Sequence, residues 1–189
     1  MESKQIRPPA NPTSFPPHIT TLLTRLHAES KAEESLLDPA EFAKRSGETR
    51  AAYVRDKFIA LDADKAQFVY SMARAIDART IVEAGTSFGV STIYLALAAS
   101  ENAKKGGKKA KVVATEHEPT KAERARGYGK DCGEGVEDVI DLREGDLRET
   151  LKEDVEDVDL LLLDSKLSLL ACCVNADGDS LDSHGHAYD

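Results

Sequence analysis

Apolar positions along this chain of 189 residues change their spacing near residue 79. Before that point they recur with a helical period. Ile19, Leu22, Leu23 and Leu26 fall at i, i+3, i+4 and i+7, which puts them on one face of a helix starting near His18. Asp38, Pro39 and Glu41 mark a second helix start: a side-chain cap, a proline whose missing N–H costs nothing at the first helical position, and a glutamate three residues after the cap. A third helix is predicted from Ala63 to Asp77 after a cap at Asp62, with Phe68, Met72 and Ile76 spaced by four and Val69 and Ala73 beside them. Residues 18–78 thus read as a helical region. Ahead of it, Met1 to Pro17 holds five of the seven prolines without any periodicity and reads as a flexible arm, which could clasp a second copy in a homodimer.

After Arg79, short apolar runs alternate with helical stretches. Thr80–Ala84, Lys111–Thr115, Val139–Arg143 and Val158–Leu163 read as strands; Val90–Ser100, Pro119–Lys130 and Leu147–Glu153 read as the helices between them. Strand and helix in alternation predict an α/β fold, a Rossmann-like doubly wound parallel sheet of about four strands flanked by helices. The expected order sets the first and fourth strands side by side, with the second and third outward of the first. In such sheets ligands bind beyond the carboxyl ends of the strands.

Charge and composition narrow the partners. A net charge of -9 opposes attraction to phosphate backbones, so no nucleic-acid partner is expected. Lys104, Lys105, Lys108, Lys109 and Lys111 have no aromatic residue among them and read as a solvated loop. The longest apolar run, Leu160–Leu163, falls far short of the roughly 20 residues a membrane span needs. Three cysteines without Cys-x-x-Cys spacing suggest free thiols, and with no secretory or transit signal the expected location is cytoplasmic. A small molecule is the expected partner.

Gly85-Thr86-Ser87-Phe88-Gly89-Val90-Ser91 joins the first strand to a helix, so backbone can approach a ligand there and the helix start offers free N–H donors. The Gly-x-x-x-Gly spacing lacks the middle glycine of the dinucleotide fingerprint, which leaves an NAD-dependent enzyme a remote reading. Glu116 ends the second strand, where a carboxylate can accept from a ribose diol or simply be a solvated loop acid. Asp146 follows the third strand and could accept from an adenine amino group or cap a helix. Asp164 ends the fourth.

The run Ile81-Val82-Glu83-Ala84-Gly85-Thr86-Ser87-Phe88-Gly89-Val90-Ser91-Thr92, after a helix containing Ala66-Gln67-Phe68, resembles the first motif of S-adenosylmethionine-dependent O-methyltransferases of the catechol and caffeoyl-CoA type. The resemblance covers Leu61 to Asp164. It implies S-adenosyl-L-methionine as cofactor and a small-molecule hydroxyl as acceptor. Glu83, Gly85 and Gly89 would surround the methionine part of the cofactor, with Thr86 among the contacts, and Ser91 would meet its carboxylate. Glu116 would hold the ribose and Asp146 would lie near adenine. Asp164 would be the catalytic and metal-ligating acid, since metal-dependent relatives hold Mg2+ there. The family's lysine three positions later is replaced by Leu167, with Lys166 out of register, so the metal site is incomplete. Residues 165–189 carry nothing like the family's remaining strands and read as a polar, disordered tail on a C-terminally truncated domain, with residues 79–164 as the cofactor-binding half. The competing expectation is a non-catalytic cofactor-binding or interaction protein derived from a methyltransferase.

Overall fold

In the computed structural model, which describes residues 15–107 and 109–164, four strands form one parallel sheet. They are β1 (Thr80–Ala84), β2 (Lys111–Glu116), β3 (Ile140–Glu144) and β4 (Leu160–Leu163), in the order β3-β2-β1-β4. The predicted order therefore holds. Glu83 stands opposite Ala114 on one side and Leu162 on the other, so the four strand ends lie close to level. Strands β1 and β2 are buried on both faces, which explains their continuous apolar runs. In β4 only alternate residues are covered: Leu160 and Leu162 pack on the core, while Leu161 and Leu163 are 52% and 50% exposed. Among the described residues β4 is paired only with β1.

Seven helices surround the sheet among the described residues: α1 (Pro17–Glu34), α2 (Pro39–Ala43), α3 (Gly47–Val54), α4 (Ala63–Ala75), α5 (Val90–Gly106), α6 (Pro119–Cys132) and α7 (Leu147–Thr150). Ile19, Leu22, Leu23 and Leu26 of α1 are buried as their spacing predicts. Asp38 caps α2 by accepting from the N–H groups of Ala40 and Glu41. Helix α3 gave no periodic signal. The Asp62 side chain makes no capping bond at the start of α4.

The large residues of the α4 stripe are the main correction, while Val69 and Ala73 beside them pack on the core as expected. Phe68 and Ile76, spaced as a core stripe, are 66% and 53% exposed, and the buried positions are Ala66 and Ala73. Helix α4 packs along α5, and small residues let the two axes approach where large ones would hold them apart. Asn102 of α5 fastens the far end of α4 by donating from Nδ2 to the carbonyls of Ala73 (3.0 Å) and Ala78 (2.8 Å).

Two smaller expectations also change. Phe15, counted with the proline-rich arm, is buried edge-to-face against Tyr70 and Tyr94, with ring centroids 5.0 and 5.6 Å away. Lys104 and Lys105, expected in a loop, belong to the last turn of α5. Residues 1–14 of the arm, Lys108, and the tail of residues 165–189 with Lys166 and Leu167 lie outside the described residues. No helix among the described residues is long and apolar enough to cross a membrane.

Candidate functional site

The chain leaves β1 through a turn that only unusual backbone angles permit. Gly85 and Gly89 have φ of 101° and 82°, and Ser87 between them adopts φ 52°. A Cβ on Gly89 would sit 2.9 Å from the Ala125 Cβ, so glycine here both accepts the left-handed angle and lets the turn touch α6. The Gly85 and Thr86 N–H groups donate to the Thr115 carbonyl at 3.3 and 2.9 Å, tying the turn to β2.

Glu83, one residue before the end of β1, is fully buried. Its Oε2 accepts from the Thr86 hydroxyl at 3.1 Å and from the Thr92 hydroxyl, while Oε1 is buried without a hydrogen-bond partner. Burial pushes this carboxyl above its ordinary range; the Ser91, Thr92 and Thr86 hydroxyls around it pull it back, and the negative charge of Asp164 adds to the upward push. Asp164 is anchored by its own N–H, which donates to the Ala84 carbonyl at 3.0 Å, and burial raises its carboxyl too. A fully buried acid, Glu83, and a half-buried one, Asp164, therefore stand at the neighbouring ends of β1 and β4.

Glu116, at the end of β2, accepts the Ser87 N–H on Oε2 at 2.6 Å and the Glu118 N–H on Oε1 at 2.8 Å. Each carboxylate oxygen keeps further acceptor capacity. Asp146 caps α7 by accepting the Arg148 N–H at 2.9 Å, and the Arg148 guanidinium beside it holds its carboxyl down at about 2. Of the two readings of Asp146, the helix cap is the one seen here.

A cavity of about 970 Å³ opens over these strand ends. Gly85, Glu116, Asp146 and Asp164 line it together. Glu83 and Ser91 lie beneath the turn and do not line it. Thr86 and Gly89 face a different cavity of about 320 Å³ between the turn, α6 and β3. The opposite wall of the large cavity comes from residues the sequence did not mark: Glu34 at the end of α1, Ile59 to Asp62 before α4, Lys65, and His117 and Lys121 after β2. The segment before α4 has no periodicity, so nothing in its composition signals a cavity wall. The acids are also not grouped for a metal: among the described residues no three His, Cys, Asp or Glu side chains come together as ligands.

A family model for a methyltransferase domain matches residues 82–177. No protein of curated function matches. Among solved structures, cofactor-bound Rv0187 from MTB is 27% identical over 80% of this chain and 57% of its own, with a TM-score of 0.56. The O-methyltransferase TomG from Streptomyces achromogenes, involved in tomaymycin synthesis and crystallised with SAM, is 24% identical over 76% of this chain and 62% of its own, with a TM-score of 0.50. The second likeness is one of fold. The chain thus spans less than two thirds of either structure.

Proposed function

Because residues 82–177 carry the methyltransferase domain, the chain belongs to that family, and we propose that its strand-end cavity binds S-adenosylmethionine for methyl transfer to a hydroxyl of a small molecule. The observation that carries this reading is the cavity that Gly85, Glu116, Asp146 and Asp164 line together at the strand ends, with the buried Glu83 Oε1 left unpartnered beneath the turn. A cation held at Asp164 in the cavity would also feel the charge of Glu83 beneath it, and the ammonium group of the cofactor's methionine end is such a cation. The first turn of α5 offers N–H donors and the positive end of a helix of 17 residues to the neighbouring carboxylate, with the Ser91 hydroxyl close by.

The other end of the cofactor is assigned on position. Glu116 accepts from the ribose hydroxyls with the lone pairs its two backbone donors leave free, and Asp146 accepts from the adenine amino group. Thr86 and Gly89 act from beneath by shaping the turn. The bound sulfonium supplies an electrophilic methyl group; the protein's part is to hold the acceptor oxygen in line with it and keep water out. Asp164 is the acid placed to take or polarise the acceptor proton. Magnesium favours six oxygens at near-octahedral geometry. One carboxylate without a described ligand partner does not fit that requirement, and no step is assigned to a metal.

A cytoplasmic, homodimeric enzyme acting on catechol- or phenol-like acceptors is the fuller form of this proposal. Calorimetry with S-adenosylhomocysteine tests its core. Saturable heat with a thermal shift supports it; neither at millimolar ligand would reject it. Methyl transfer from labelled cofactor to a panel of phenols then separates an enzyme from a non-catalytic cofactor-binding protein.

A further inference from the structure

Ile59 to Asp62 line the cavity as part of a strap, residues 58–62, between α3 and α4. It belongs to neither helix, yet its backbone is held by side chains from α1. The Phe58 N–H donates to Glu33 Oε2 at 2.9 Å, and the Ala60 N–H donates to Ser30 Oγ at 2.9 Å. Ser30 is 4% exposed, and its hydroxyl passes the bond on to Glu34 Oε1 at 3.0 Å. Glu34 itself lines the cavity, so one buried serine bonds both the wall backbone at Ala60 and a wall carboxylate.

The strap is also tied to the glycine turn. Ser87 Oγ donates to the Ile59 carbonyl at 3.3 Å, while the Ser87 N–H is the one that Glu116 accepts. Phe58 packs on Phe88 with ring centroids 4.5 Å apart, and the Arg124 guanidinium lies over both rings, 5.3 and 4.6 Å from their centroids. A displacement of the strap therefore moves Ser87, and Ser87 moves the acid assigned to the ribose.

From this connected set we propose that Ser30 and Glu33 of α1 are positioning residues for the cavity: they hold the strap at the distance the ligand needs, though neither lines the cavity. The effect on ligand rests on the cofactor reading above, whereas the anchoring of the strap does not. Two measurements separate them. Hydrogen exchange without ligand reads the anchoring: the Ala60 amide should exchange faster in Ser30→Ala, and the Phe58 amide faster in Glu33→Ala but not in Glu33→Gln, which keeps an acceptor oxygen. Calorimetry with S-adenosylhomocysteine reads the consequence. Losing one such bond should weaken binding roughly three- to tenfold, with Glu33→Gln restored to near the parent value.

Unchanged exchange at Phe58 and Ala60 in the alanine variants would overturn the anchoring, whatever the ligand does. Faster exchange with ligand affinity unchanged would overturn the positioning role. Absence of binding by the parent chain would instead strike the cofactor reading; the probe then becomes the geometry itself, and exchange at the Ser87 amide must rise in Ser30→Ala for the proposal to stand. Thermal melts of each variant, with Glu33 on a partly exposed helix end, distinguish these outcomes from unfolding.

Discussion

Replacing Glu83 by glutamine should make the protein more stable and a worse binder, and the two effects have one cause. The side chain is fully buried, with two hydroxyl groups donating to Oε2 and nothing donating to Oε1. An ionised carboxylate in that position is only half satisfied. Its carboxyl is accordingly raised above the ordinary carboxylate range, first by desolvation. A raised acid holds its proton more firmly in the folded chain than in the unfolded one. Between the unfolded value and the raised one, the native state therefore binds more protons, and stability falls as pH climbs through that window before levelling off. Glutamine cannot ionise. It keeps an oxygen for Thr86 and Thr92 and imitates the protonated acid, so variant and parent should match at acid pH and diverge as pH rises.

An unpaired buried polar atom costs about 1–3 kcal/mol and more when charged; glutamine leaves an amide nitrogen unpaired in the same place, so it recovers only the excess due to the charge, about 1 kcal/mol. A gain of that order corresponds to roughly 2–4 °C in melting temperature for each kcal/mol in a chain of this size. Binding should move the other way. Removing one charge-assisted hydrogen bond to an ammonium group, worth about 1.5–3 kcal/mol, weakens S-adenosylhomocysteine roughly 10- to 150-fold. Melts from pH 4.5 to 8 and calorimetry at pH 7.5 measure both arms. A variant that binds as tightly as the parent, or melts below it throughout that range, would refute the reasoning.

Glu116→Ala removes the acceptor for the Ser87 and Glu118 N–H groups, so calorimetry should show at least about tenfold weaker S-adenosylhomocysteine binding, with Glu116→Gln in between. Gly89→Ala places a side chain at φ 82° and 2.9 Å from Ala125 Cβ, which should cost about 2–4 kcal/mol in chemical denaturation; adding Ala125→Gly should recover the contact part and leave the backbone part. Asn102→Ala strips the Ala73 and Ala78 carbonyls of their shared donor and should destabilise by about 2–4 kcal/mol without altering ligand affinity relative to the folded fraction.

The sheet was readable because parallel strands covered on both faces are written as unbroken apolar runs, Ile81-Val82 and Val112-Val113-Ala114 among them. The strand-end acids were readable for a related reason: once the strands are placed, the residue after each one is placed too. Helix α4 shows where hydrophobic spacing stops deciding burial. Val69 and Ala73 pack inward as their spacing predicts, but Phe68 and Ile76 do not, because large residues outweigh Ala66 in any hydrophobic pattern while close packing against α5 selects the alanines. The strap was invisible for a different reason. Its bonds join residues 25 and 30 apart, backbone N–H to a serine and a glutamate, and neither partner belongs to a repeat.

The same turn that would admit the ligand gathers features that oppose folding. Ser87 is held at φ 52°, Gly85 and Gly89 give up the freedom that glycine has in an unfolded chain, and Glu83 carries an unanswered buried oxygen. Tight packing beneath offsets them: Ile81, Ile93, Leu95 and Val112 are all at most 1% exposed, and Ala125 meets the turn in close contact. A cation delivered to Glu83 and hydroxyl groups delivered to Glu116 would relieve part of that opposition. Ligand binding should then appear as a stabilisation of the whole domain that grows with the logarithm of ligand concentration above the dissociation constant. Residues placed to be incomplete in the free chain are thus the ones whose cost ties affinity to stability, and Glu83 is where that exchange is most direct.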